Sequence, residues 1–391
     1  MIKIDLTFAG LVCIIALYGT SDAAGEPAPQ AKIVGDFALW DEHAPLPIPD
    51  TLQYPANAFD VVVHRADEEY QFLHDNAVVW HGDTLFAAWY NCPKGEIQGS
   101  SCIRARRSQD GGKTWSQVEV IAADRSGTGT YYVPVTFLSY EGKLRAYVSN
   151  MVGHDLVTRC EVFALDELRN RWISGGYIAG PFLPNCPPLL MADGNFVMAG
   201  RMTPKPATTP EIPAVAISTG RDVDGEWSVV PMMQTIARPY TDYPESTVWL
   251  DGPELTAIVR GRLVFTSADF GKTWQGPFQH NLPAEDSKPF ALQLSDGRRC
   301  LLWNYPESRG SIRQVLAIAV SRPGLKALSA MWKIRHGYAD ALQAGPEWSY
   351  PCAVEHEGAL YVIYTSEKRH SVMTVIPLKS LALEGAEPAA Q

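Results

Sequence analysis

The amino-acid sequence predicts an all-β fold, a six-bladed β-propeller, on three observations. Six segments repeat one design: an apolar alternating run, a turn containing glycine, then a second alternating run. The turn glycines fall at Gly82, Gly142, Gly194, Gly252, Gly297 and Gly358, and their spacings of 60, 52, 58, 45 and 61 residues are each about one four-stranded blade. Trp115, Trp172, Trp227, Trp274 and Trp332 follow the first five hairpins and close the next strand-turn element. A jelly roll or a stacked sandwich would require no such period. With 31 Gly and 29 Pro the chain also carries more breakers than helical repeats tolerate.

From the N-terminus, Lys3 precedes an apolar run from Leu6 to Leu17 and then Ser21-Asp22-Ala23-Ala24. This layout predicts a signal peptide over residues 1–23 and a secreted or periplasmic protein. The run is shorter than the ~20 apolar residues that span a bilayer, and Val12-Cys13 lacks the small residue expected before a lipidated cysteine, so no stable membrane insertion is predicted. Residues 24–58 are proline-rich, with Ala44-Pro45-Leu46-Pro47-Ile48-Pro49 and Tyr54-Pro55. Proline lacks the N–H that a central strand donates, so this segment should wrap the outside or help close the ring. The propeller is expected over residues 59–382, followed by a tail over 383–391. In its hairpins, Gly after Asp or Glu, as at Asp251-Gly252, Asp296-Gly297 and Glu357-Gly358, supplies the positive φ of a tight turn.

A formal charge of −10 argues against nucleic acid, which needs a basic surface, and an anionic ligand would need a local arginine cluster. Cys92, Cys102, Cys160, Cys186, Cys300 and Cys352 remain after leader cleavage, an even number suited to an oxidising compartment. Cys92 and Cys102 flank a short loop and are the first pair to expect, with packed free thiols as the alternative. Neither CxxC nor HExxH occurs, so no metal and no cofactor is predicted.

Two of the tryptophan elements are sharper: Ser108-Gln109-Asp110-Gly111-Gly112-Lys113-Thr114-Trp115 and Ser267-Ala268-Asp269-Phe270-Gly271-Lys272-Thr273-Trp274. Both fit S-x-D-x-G-x-T-W, in which Ser and Asp bond turn amides, Gly takes the left-handed position and Trp is buried. With a degenerate copy at Ser218 to Trp227, they resemble the Asp-box (BNR) repeats of the sialidase superfamily, a resemblance that extends from about Phe72 to Leu378. It implies an exo-acting glycoside hydrolase that cleaves a terminal acidic sugar, sialic acid or a relative, from a glycan with retention, by a tyrosine nucleophile paired with a glutamate. Tyr243-Pro244-Glu245-Ser246-Thr247-Val248 is similar to the glutamate segment, with Arg260 as the second binding arginine and Arg313 as the third. Tyr350, in Ser349-Tyr350-Pro351, occupies the place of the nucleophile.

The sequence departs from that pattern in two places. Where the superfamily carries its first arginine, this chain has Phe72-Leu73-His74-Asp75-Asn76, so that His74 replaces it. In the loop from Asn91 to Ser100 the one carboxylate is Glu96, the candidate acid/base, with Asp75 as a second candidate. These departures open a rival reading, a polysaccharide lyase or rhamnosidase-like propeller acting on uronate-containing glycans. There His74 or Tyr132 would abstract the proton beside the carboxylate, and Arg201 or Arg260 would neutralise the charge. A third reading is a non-catalytic glycan-binding propeller with Tyr131, Tyr132, Tyr240 and Trp249 as stacking platforms.

Overall fold

In the computed structural model of the chain, residues 32–153, 156–203, 211–233, 241–307, 313–337, 340–342 and 346–383 are described. The expected leader, Tyr240 and the tail from residue 384 lie outside them. Each sequence repeat folds as one antiparallel sheet, and the six sheets form a six-bladed β-propeller. Blade 1 comprises Phe72–His81, Thr84–Cys92, Cys102–Ser108 and Glu119–Ala123; blade 2 comprises Thr130–Tyr140, Lys143–Val152, Leu156–Asp166 and Arg171–Ala179. In blade 3 the first strand is split into Phe182–Pro184 and Leu189–Leu190, both paired with Phe196–Met202, and Ile212–Ile217 and Ser228–Pro231 follow. Blade 4 runs from Ser246–Asp251 to Gln275–His280, and blade 5 from Phe290–Gln293 to Leu328–His336.

Blade 6 has only three strands from the C-terminal part of the chain: Trp348–His356, Ala359–Ser366 and His370–Pro377. Its fourth is Phe59–Arg65, antiparallel to His370–Pro377, so the two ends of the described chain close the ring by backbone hydrogen bonds. The proline-rich segment lies across the outside of blades 4 and 5. There Gly35–Phe37 adds a parallel strand beside Gln275–His280, Asn281 Oδ1 accepts from the amides of Leu39 and Trp40 at 3.0 and 2.8 Å, and Tyr305 donates to the Pro47 carbonyl at 2.8 Å.

All six repeat glycines lie in the turn between the first and second strand of their blade, with φ between 53° and 88°. The five marker tryptophans stand at the start of, or within, the outer strand of blades 2 and 5 and just ahead of it in blades 1, 3 and 4. All six cysteines are buried free thiols, which corrects the expected Cys92–Cys102 pair. Cys102 stands opposite Asn91 in the ladder, so Cys92, one residue on, projects from the other face of the sheet.

Candidate active site

The inner strands of blades 1, 2 and 6 share one irregularity. Between His74 and Ala77, Tyr132 and Val135, and Ser349 and Cys352, three steps on the inner strand face two on its neighbour, a one-residue bulge each time. The first bulged residue is Asp75 in blade 1, Val133 in blade 2 and Tyr350 in blade 6. Asp75 and Tyr350 hold φ of 49° and 57°, left-handed values that cost a side-chain-bearing residue of order 1–2 kcal/mol and that the surrounding sheet imposes. Tyr350, Asp75 and Val133 all line one cavity of about 210 Å³, together with His74, Glu96, Arg201, Glu245, Arg260 and Arg313. Blade 4 contributes Glu245, immediately before its first strand, and Arg260, immediately after its second; the Arg260 amide donates to the Glu245 carbonyl at 2.9 Å and fixes the two together.

At the centre of the cavity the Tyr350 hydroxyl donates to Glu245 Oε1 at 2.7 Å. Arg260 Nη1 donates to Glu245 Oε2 at 3.0 Å and reaches the Tyr350 oxygen at 3.3 Å. The other edge of Arg260 is a two-pronged pair with Asp286, at 2.7 and 2.9 Å. Arg313 bonds Glu347 at 2.9 Å and the Asp286 carbonyl at 3.2 Å, and its guanidinium lies 5.4 Å from the centre of the Tyr350 ring. Lys288, ion-paired to Asp75, approaches the same ring at 5.5 Å, and the His74 ring packs on it at 4.1 Å. Arg201 is paired with Glu211 at 2.9 Å and lies over Tyr243. Glu96 accepts from Tyr90 at 3.0 Å and from Lys368 at 3.2 Å.

These contacts set the charges. Burial alone would raise the Glu245 carboxyl, but Arg260 and then Arg201 outweigh it and hold the group below the usual carboxylate range. Burial, and then the Glu245 charge, pushes the Tyr350 phenol well above its ordinary value. Burial pushes Asp75 up to about 6 against the pull of Lys288. His74 is fully buried, and burial together with the charges of Lys368 and Arg313 holds it well below 6.5, so its imidazole is neutral. The arrangement therefore offers an ionised base on a neutral phenol, walled by guanidinium groups.

Eight of the nine candidate site residues thus line the cavity, and Tyr132 does not. The bulge directs Val133 inward, while the half-buried Tyr132 ring packs edge-on to Phe163. Trp249 is buried, donating to the Leu292 carbonyl at 3.0 Å, and cannot serve as a stacking platform. Sequence reading missed Lys288, Asp286, Glu347, Tyr90 and Lys368. None stands in a recognisable run; Lys288, Asp286, Glu347 and Lys368 act through partners 26 to 272 residues away, and Tyr90 through Glu96 across the loop that follows its strand.

Residues 83–363 match the BNR repeat-like domain family. No curated protein matches the sequence at a significant level. Among solved structures the chain is similar to a protein of unknown function from Dyadobacter fermentans, with a TM-score of 0.63 and 16% identity over 82% of this chain and 99% of that one. It is similar to a Hadza microbial sialidase, with a TM-score of 0.65 and 16% identity over 83% of this chain and 69% of that one. It is also similar to Trypanosoma rangeli sialidase in complex with 2,3-difluorosialic acid, a covalent intermediate, with a TM-score of 0.63 and 13% identity over 85% of this chain and 60% of that one. At these identities the likeness is one of fold.

Proposed function

This chain belongs to the BNR repeat-like domain family, and from that premise we propose that it is a retaining exo-glycosidase of sialidase type, exported from the cytoplasm, that removes a terminal acidic sugar from a glycan. The observation that carries the proposal is the 2.7 Å hydrogen bond from the Tyr350 phenol to the buried, arginine-held Glu245. Glu245 takes the phenolic proton as the Tyr350 oxygen forms a bond to the anomeric carbon and the bond to the aglycone oxygen breaks. Glu96, only partly buried and reachable by water, takes a proton from solvent in place of its bond from Lys368 and gives it to the departing oxygen; it later draws one from the water that releases the sugar, while Glu245 returns its proton to Tyr350. Arg260, Arg313 and Arg201 balance the negative charge of glycon and base. A phenol suits this role because, unlike a carboxylate, it brings no charge of its own towards an anionic sugar.

The lyase reading is less favoured, because a histidine held well below 6.5 is a weak base for proton abstraction. The test is incubation of the purified protein with sialylated and uronate-containing oligosaccharides, reading products by mass and by ultraviolet absorbance. Release of a saturated acidic sugar, lost by about 10³-fold or more in Tyr350→Phe with ligand binding retained, is expected. An unsaturated product, or turnover that survives in Tyr350→Phe, would overturn the mechanism.

A further inference from the structure

We propose that Asp286 is the specificity-determining counter-ion of this site: its carboxylate holds the fork of Arg260 until the carboxylate of an acidic glycon takes its place. The inference rests on the acidic-sugar reading above and adds how such a sugar is admitted.

Every cation around the cavity already has a carboxylate. Arg201 is held by Glu211, Arg313 by Glu347, Lys288 by Asp75, Lys368 by Glu96, and Arg260 by both Glu245 and Asp286. An acidic glycon therefore meets a charge-compensated site, and one internal anion must yield before a guanidinium can grip the substrate. Three observations single out Asp286. Its two oxygens sit on Nε and Nη2 of Arg260 at 2.7 and 2.9 Å, the paired geometry that a substrate carboxylate would adopt. Its main-chain carbonyl accepts from Arg313 at 3.2 Å, so one residue spans both arginines and its side chain can leave while its backbone stays anchored. Its side chain is 52% exposed, against 3–6% for Glu211, Glu245 and Asp75, 26% for Glu347 and 35% for Glu96.

Exposure decides which anion yields. A buried carboxylate that loses its partner is left desolvated, whereas an exposed one regains water on leaving. Glu245 is in addition committed to Tyr350. The site also keeps donors in reserve, since Nε of Arg201 and Nε of Arg313 are buried without a hydrogen-bond partner among the described residues. A neutral sugar offers Arg260 nothing that matches the carboxylate it would have to displace. Exchange of one carboxylate for another thus selects for acid.

The test is calorimetric binding of N-acetylneuraminic, glucuronic and galacturonic acids, each beside its methyl ester, to the wild-type protein, Asp286→Ala and Asp286→Asn. Removing the competing anion should tighten at least one acid by about tenfold in Asp286→Ala, after allowance for solvent screening of a half-exposed charge, and leave its ester within about twofold. Asp286→Asn keeps the shape of the side chain and one hydrogen bond, so it reports the same preference, by a smaller factor, even if the alanine variant folds poorly. Equal losses for acid and ester would mean that Asp286 only braces Arg260. That result, or the absence of any gain in acid binding in both variants, overturns the proposal. The Tyr350→Phe experiment reads turnover and the Asp286 variants read binding, so the two proposals can fail separately.

Discussion

Glu245 retains its charge in a place where a lone carboxylate would lose it. Its side chain is 4% exposed, yet Arg260 and Arg201 keep its carboxyl below the ordinary range, so the base stays ionised where a free glutamic acid would begin to take up a proton. Glu245→Gln keeps the hydrogen bond to Tyr350 and removes the proton acceptor. The expected outcome is a fall in kcat of about 10²–10⁴-fold with KM little changed, and loss of the decline in activity that protonation of Glu245 gives the wild-type enzyme at the acid end. Arg260 keeps Asp286, so the variant should fold, and activity within tenfold of wild type would remove Glu245 from the mechanism. Glu245, Arg260, Arg313 and Tyr350 were legible because each lies in a short run beside a strand end. Asp286, Lys288 and Lys368 were not, because a loop lysine or aspartate acquires its meaning only from a partner such as Asp75, 213 residues away from Lys288. Tyr132 stays outside the cavity because a bulge inserts a residue and turns Val133 inward instead, a shift the sequence does not register.

At the scale of the element, the hydrogen bonds of the Asp boxes are those the sequence leads one to expect and are local, while Trp115 and Trp274 are half-buried where burial was expected. In blade 4, Ser267 Oγ accepts from the Gly271 amide at 2.9 Å, and Asp269 accepts from the Thr273 amide and hydroxyl at 2.9 and 2.7 Å. The blade 1 copy repeats the set, with 2.8 Å for Ser108, and 2.9 and 2.6 Å for Asp110. In the degenerate third copy, Ser218 instead donates to the Gly220 carbonyl at 2.6 Å, and Asp222 accepts from the amides of Asp224 and Gly225. Ser267→Ala leaves the buried Gly271 amide without its acceptor, which should cost about 1–3 kcal/mol. A lowered urea midpoint with an unchanged slope would show this, and no change would mean that water replaces the hydroxyl. Hairpins and boxes were readable because residues within one turn determine them. The split first strand of blade 3 and the three bulges were not, because they answer to neighbouring strands and to the convergence of inner strands on one cavity.

For the whole molecule, closure of the ring places titratable groups where the fold is joined. The closing strand aligns Arg65 with His370 and His64 with Ser371, and the His64 ring stacks on Trp89 of blade 1 at 4.7 Å, so two histidines occupy the seam between the last blade and the first. Burial, helped by Arg106 for His64 and Arg65 for His370, lowers both to about 4; burial and Arg262 lower His280 to about 3, and His74 lies well below 6.5. Below pH 6.5 the unfolded chain takes up protons at these four positions while the folded chain does not. Their contribution is therefore complete above pH 6.5 and is lost as pH falls towards 4, at no more than about 1.4 kcal/mol per pH unit for a fully buried group such as His74 or His280. Asp75, raised to about 6, and Glu285, raised by burial, act in the opposite sense, since their protonation favours the fold as pH falls, but they are two carboxyls against four histidines. Stability should thus decrease from pH 7 to pH 5 in a single cooperative transition, because a closed ring opens at the seam only when blades 1 and 6 separate. His280→Gln, in blade 4, removes one of the four groups and should flatten the slope of the urea midpoint against pH, whereas a midpoint that holds or rises between pH 7 and pH 5 would show that these histidines do not govern the acid stability of the ring.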